Sequence, residues 1–263
     1  MEAGSDTTSS TLLSFLLAMI KHPEEFKKAQ TEVDQVCGSL RSPTSDDISR
    51  LPFIRACMDE VITILNSPSN SDVTFQTLRW RPVAAGGIPH MLTQDDTYQG
   101  YFLPKGTIFL ANTWAIHHDE TEYDQPGEFI PDRFLNNKFG TRNPVDESTE
   151  DHRRTSYGFG AGRRVCPGQR LAKNSLVSRL SELWRPIANR RLEMVNMAKI
   201  AWGFELSPGL GAVNVDIKTA YSDGFLIAPE KFPILFTPRS DTHKDIIIKE
   251  YEAIKPFFIK YKN

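Results

Sequence analysis

The chain has 263 residues, 40% of them hydrophobic, and a formal net charge of −2, enough apolar content for one large domain or two small ones. The near-neutral balance offers no basic footprint for nucleic acid, and three scattered cysteines, Cys37, Cys57 and Cys166, make no disulfide framework and point to a reducing compartment. The longest apolar run, residues 12–20, falls short of the roughly 20 residues that cross a bilayer, and Glu2 and Asp6 stand where a signal peptide would be positive.

Residues 3–20 predict a helix, polar in its first turn and apolar later, which His22-Pro23 ends. Pro23 opens a second helix over 24–36, where Phe26, Ala29, Val33 and Val36 recur at helical spacing before Gly38 stops it. A third helix begins near Leu51-Pro52 and runs to Glu60, and residues 66–72 read as a loop. Residues 83–111, rich in Gly, Pro, Thr and alternating apolar residues, predict short strands and turns of a small sheet. Residues 136–154 are polar and charged, a surface loop. A Gly-rich segment over 157–168 leads into another helical pattern. The last sixty residues read as strands, closing with Phe225-Leu226-Ile227 and Pro233-Ile234-Leu235-Phe236. No internal repeat is present.

The strongest chemical signal is Phe159-Gly160-Ala161-Gly162-Arg163-Arg164-Val165-Cys166-Pro167-Gly168, followed at once by a helix-compatible run. A thiolate beneath a haem iron needs a loop that approaches the porphyrin closely, hence glycines, and a helix start that stabilises charge on sulfur. Arg164 can reach a haem propionate, and Phe159 can cover the sulfur. A cysteine taken alone is more often a small buried hydrophobe, which is the reading for Cys37 and Cys57. The Phe, Gly, Arg, Cys and Gly pattern resembles the haem loop of the cytochromes P-450. That resemblance implies a mainly α fold with small β-sheets, here the carboxy-terminal half of the cytochrome P-450 fold. It makes residues 1–263 a single partial haem-thiolate monooxygenase domain with Cys166 as axial ligand, Gly162 and Gly168 shaping the loop, and haem b as cofactor.

Other segments fit the same resemblance. Ala3-Gly4-Ser5-Asp6-Thr7-Thr8 resembles the oxygen-activating groove of the family's central helix, where Thr7 would hydrogen-bond bound oxygen and Asp6 would relay protons; by itself the segment also reads as a helix cap. The segment from Val83 to His90 is similar to the strand lining the substrate side of the haem, with His90 near a propionate, although a histidine beside proline is also an ordinary surface residue. Gly224-Phe225-Leu226 looks like the tip of a hairpin closing the pocket. Family members join a Glu-x-x-Arg pair on one helix to a second Arg. Here Pro131-Asp132-Arg133-Phe134 matches the later element, but the residue three before Arg79 is Gln76. Removing residues 61–76 would join Glu60 to Thr77-Leu78-Arg79 and restore the pair at i, i+3 spacing.

Both ends of that segment are compatible with intron boundaries, since a valine codon begins GT and a glutamine codon can end AG. Residues 177–193 have the same character, and their removal joins Leu176 to Met194 in an unbroken helical pattern. Two retained introns or two surface insertions are the alternatives. Family-level function would be insertion of one oxygen atom from O2 into a small hydrophobic organic substrate, with electrons from an NADPH-dependent flavoprotein reductase. The flavour is that of fungal secondary-metabolite oxidases. Members are anchored to the endoplasmic reticulum membrane; this chain starts inside the central helix without the anchor, so it is expected in the cytoplasm if expressed. The alternative reading is a non-catalytic fragment that does not hold haem stably. The resemblance is expected to leave out the two insertions and the tail after Ser240.

Overall fold

Prolines and a glycine divide the first sixty residues into three helices, as the sequence predicts. The computed structural model describes residues 2–44, 46–61, 79–136, 139–142, 157–160, 162–166, 192–211 and 213–259. Helix α1 spans Glu2–Lys21, α2 Pro23–Cys37 and α3 Pro52–Val61, with a 3-10 turn at Ile48–Arg50 before α3. Pro23 sits at the first helical position of α2, where its missing N–H costs nothing, and Gly38 at φ +63° ends it. The amino end of α3 is capped from α2: Glu32 accepts from the Phe53 N–H at 2.6 Å and the Ile54 N–H at 2.8 Å, satisfying donors the helix cannot satisfy itself.

The core lies where α1, α2 and α3 meet α6, Leu192–Gly203. Phe15, Ala18 and Met19 of α1 pack with Phe26, Ala29 and Val33 of α2, Ile54 and Cys57 of α3, and Met197, Ala198, Ala201 and Trp202 of α6. The apolar spacing read from α2 is therefore its buried face, with Val36 partly buried at its end. Cys57 is a buried core residue, as its surroundings in the sequence suggest. Polar ties lock these helices to one another and to the strand pair that follows α6. The Trp202 Nε1–H donates to Gly38 O at 2.7 Å, and Arg239 donates to both Asp34 oxygens at 2.7 and 2.6 Å. Asp47 accepts from Arg41 at 2.6 and 2.8 Å, from Arg50, and from Thr44 N and Oγ1 at 2.9 Å each. Those donors hold its carboxyl well below the usual carboxylate range.

The middle of the chain forms short antiparallel pairs. β1 (His90–Met91) pairs with β4 (Ile108–Phe109), and β2 (Asp96–Tyr98) with β3 (Tyr101–Leu103). Gln99 and Gly100 between β2 and β3 both have positive φ, 49° and 85°, the backbone that closes a two-residue hairpin. Upstream of β1, the turn over residues 83–87 rests on α4, Thr113–His117. The Thr113 Oγ1–H lies 2.8 Å from Ala84 O and 2.7 Å from Ala85 O, and the Trp114 N–H donates to Ala85 O at 3.0 Å. Gly87 closes that turn at φ +66°, and a Cβ there would lie 2.4 Å from Ala111 O. Helix α5, Arg133–Asn136, packs beside α3.

The carboxy-terminal part departs from the sequence expectation. β5 (Phe204–Pro208) and β6 (Ile234–Pro238) pair in register, so Pro233-Ile234-Leu235-Phe236 does lead into a strand. Residues 225–227 form no strand, but the antiparallel bridge from Tyr221 to Pro229, with the Ser222 N–H donating to Ala228 O at 2.9 Å and the Glu230 N–H to Ala220 O at 2.7 Å, makes a short hairpin with Gly224-Phe225-Leu226 in its tip. The chain then runs through helix α7, Asp241–Ile259, instead of a further strand. Ser240 starts this helix, its Oγ lying 3.4 Å from the His243 N–H, and Ile246 and Ile247 pack against the core. Lys199 of α6 meets Glu250 at 2.6 Å. Packing thus decides the state of a locally β-branched run. Among the described residues no helix is long and apolar enough to cross a membrane.

Candidate active site

The cysteine loop closes on itself through its backbone. The Gly160 N–H donates to Tyr157 O at 3.2 Å, the Val165 N–H to Gly162 O at 3.2 Å, and the Cys166 N–H to Phe159 O at 2.8 Å. This last bond brings the cysteine back over the start of the loop. Gly160 and Gly162 take φ +72° and +59°, a region that side chains other than glycine's adopt at a cost, and Gly162–Arg164 form a 3-10 turn. Cys166 is a free, half-buried thiol, Phe159 is half-buried, and Gly162 and Arg164 are exposed. Gly168 lies outside the described residues, as does most of the helical pattern read after the loop.

Asp6 is exposed and Thr7 half-buried in the early turns of α1. The Ser10 hydroxyl donates to Asp6 O at 2.7 Å and the Thr11 hydroxyl to Thr7 O at 2.9 Å, back-bonding that weakens the helix's own ladder at this point. Thr8 is buried with an Oγ1 that has no partner among the described residues. His90 is exposed on β1, opposite Phe109.

Arg79 and Arg133 converge on one loop. Arg79, 1% exposed, donates from Nη1 to Pro126 O at 2.7 Å and His117 O at 3.3 Å, and from Nη2 to Glu128 O at 2.9 Å. Arg133 donates to Asp124 O at 2.9 Å and Gln125 O at 3.4 Å. Two cations therefore grip the carbonyls of residues 124–128. Glu60 lies in the last turn of α3, but its side chain lies outside the described residues, as do residues 62–78 and 177–191 that hold nearly all of both candidate insertions.

Three functional candidates carry no sequence motif. Arg81 is buried, donating to Trp80 O at 2.9 Å and Val215 O at 3.3 Å, with its guanidinium 4.1 Å from the Trp80 ring centroid and 5.6 Å from that of Tyr221. The Tyr221 hydroxyl meets Ser14 Oγ at 3.3 Å, which ties this box to α1. His118 stacks on Trp114 with ring centroids 3.7 Å apart, and burial pushes its imidazolium pKa down to about 4. His117, 5% exposed, packs edge-on against Tyr157 at the start of the cysteine loop, and burial, then the Arg79 cation, push its pKa down to about 3. The signal that could have found α4 is Asn112, whose Oδ1 accepts from the Ala115 N–H at 3.0 Å as an N-cap.

The family model described as Cytochrome P450 matches residues 1–183. A cytochrome P450 monooxygenase of Arthrobotrys oligospora is 37% identical over 99% of this chain and 43% of its own length. One of Aspergillus niger is 36% identical over 95% and 42%, and one of Penicillium terrestre 34% over 95% and 42%. The chain thus spans less than half the length of these relatives. The Arthrobotrys match runs over nearly the whole chain, so the tail after Ser240 falls within it, contrary to the expectation that it would not. A solved zebra fish cytochrome P450 with abiraterone superposes with a TM-score of 0.65 at 31% identity, covering 90% of this chain and 45% of that one. A second structure of the zebra fish protein, with progesterone, gives 0.62 at 30% identity.

Proposed function

The chain belongs to the cytochrome P450 family, and from that membership we propose that the protein is a haem-dependent monooxygenase. It transfers one atom of O2 to a small hydrophobic organic substrate and reduces the other to water, with two protons and two electrons that originate in NADPH and arrive through a flavoprotein reductase. The observation that carries this reading is the closed glycine turn that presents a free, half-buried Cys166. Haem b, when bound to that sulfur, supplies the activation of dioxygen that no side chain can perform.

The donor set fits such a group. The Cys166 N–H donates to Phe159 O at 2.8 Å, so the loop's own backbone holds the sulfur-bearing residue. Phe159 shields the sulfur, and Gly162 and Gly168 let the loop approach a flat ring. Arg164 from the loop and His90 from β1, both exposed, would neutralise the propionates. Asp6 and Thr7 would serve the proton supply along α1, Thr7 on the oxygen side and Asp6, exposed, in exchange with water. Glu60, Arg79 and Arg133 form the supporting charge cluster. Residues 61–76 and 177–193 are absent from the working enzyme in this reading, and cDNA that retains both would overturn that point alone.

The test is the carbon monoxide spectrum of the reduced protein, purified after expression with a haem supply. A thiolate-type Soret band that disappears in Cys166→Ala supports the assignment. Absence of any haem spectrum supports the non-catalytic fragment instead.

A further inference from the structure

We infer that His117 is a positioning residue for the cysteine loop, its ring being the surface on which Tyr157 fixes the loop's first residue. This rests on the haem-thiolate reading above and adds to it the part that sets where the sulfur stands.

The backbone of His117 is anchored from both sides. Asn112 caps α4, Thr113 and Trp114 bind the carbonyls of Ala84 and Ala85, and the His117 carbonyl accepts from Arg79 Nη1 at 3.3 Å. Its ring lies between two tyrosines, with centroids 5.7 Å from Tyr157 at 73° and 6.4 Å from Tyr123 at 58°. The Tyr123 ring in turn faces the Arg79 guanidinium at 5.5 Å. The edge-to-face contact with Tyr157 fixes orientation as well as burying area.

Neither ring nitrogen has a hydrogen-bond partner among the described residues. The contacts that the ring does make are aromatic, with Tyr157 and Tyr123. Protonation would set a second cation beside Arg79, and the ring stays neutral across the ordinary pH range. From Tyr157 the path to the sulfur is short. Tyr157 O accepts from Gly160, and Phe159 O accepts from Cys166, so a shift of Tyr157 is passed through two backbone bonds to residue 166.

The experiment compares wild-type holoprotein with His117→Ala, His117→Leu and His117→Phe. Three readouts are taken: the reduced carbon monoxide spectrum, the rate of haem release to a scavenger protein, and far-UV circular dichroism. His117→Phe keeps the ring contacts and should retain the thiolate band, with release within about twofold of wild type. His117→Ala should release haem about tenfold faster, converting the thiolate band to that of a displaced sulfur while the helical signal stays unchanged; about 1.4 kcal/mol corresponds to that factor. His117→Leu fills the space without a ring and should fall on the Ala side, which keeps the comparison open if Ala does not fold. A wild-type band and release rate in both Ala and Leu would overturn the inference. So would loss of the band in Phe, which would assign the role to a ring nitrogen. A wild-type protein with no thiolate band would overturn the haem-thiolate reading itself, and that failure is visible before any variant is made.

Discussion

The helical core and the cysteine loop are built from different materials. The core joins large side chains from four helices, with Trp202 and Phe15 sealed from solvent. The loop is shaped by backbone hydrogen bonds between residues a few positions apart, by glycines at positive φ, and by a ring at its entrance. Burial of the first kind sets how much free energy holds the protein folded. Geometry of the second kind sets where one atom stands, at little cost in stability. Substitutions should therefore separate the two, moving unfolding midpoints in one region and spectra in the other.

The sharpest test of that separation is Trp202→Ala, which removes a sealed indole and its bond to Gly38 O. A loss of about 3–5 kcal/mol in urea unfolding is expected, and a loss under about 1 kcal/mol would break the comparison. Arg79→Met comes next, at about 2–4 kcal/mol, because the carbonyls of His117, Pro126 and Glu128 lose a donor. Lysine there should not restore it, since one ammonium cannot reproduce a planar fork.

Acid sensitivity ranks third. His117 and His118 have folded pKa values depressed to about 3 and about 4, so below pH about 6.5 the unfolded chain takes up protons that the folded one refuses. Their stabilisation is complete above that pH and is lost as pH falls toward the folded values, at up to about 1.4 kcal/mol per pH unit for each histidine. Urea midpoints of His117→Phe measured against pH should show a shallower acid slope than wild type. Cys166→Ser should be smallest in stability, under about 1 kcal/mol in the haem-free protein, and total in its effect on the thiolate band.

Much of this was legible in the residues. Pro23, Gly38 and Pro52 mark helix boundaries because they restrict the backbone locally, and the loop from Phe159 to Gly168 announces itself because its chemistry is carried by residue types in fixed order. Arg79 was legible as a charge to be held, but its described hydrogen-bond partners are main-chain carbonyls, and a carbonyl leaves no signature in a sequence. His117 was missed for a related reason: its meaning comes from Tyr157, forty positions away, and only the fold brings the two rings together. Helix α7 was misread because Ile246-Ile247-Ile248 favours a strand locally, while docking on α6 favours a helix.

Gly87 has a consequence for laboratory evolution. With Ala111 O 2.4 Å from where any β-carbon would sit, and that oxygen fixed in the main chain, a saturation library across 86–91 should return wild type alone at position 87. Exposed Ile88, His90 and Met91 around it should tolerate many replacements. Variation in this turn is then confined to those neighbours around one immovable point.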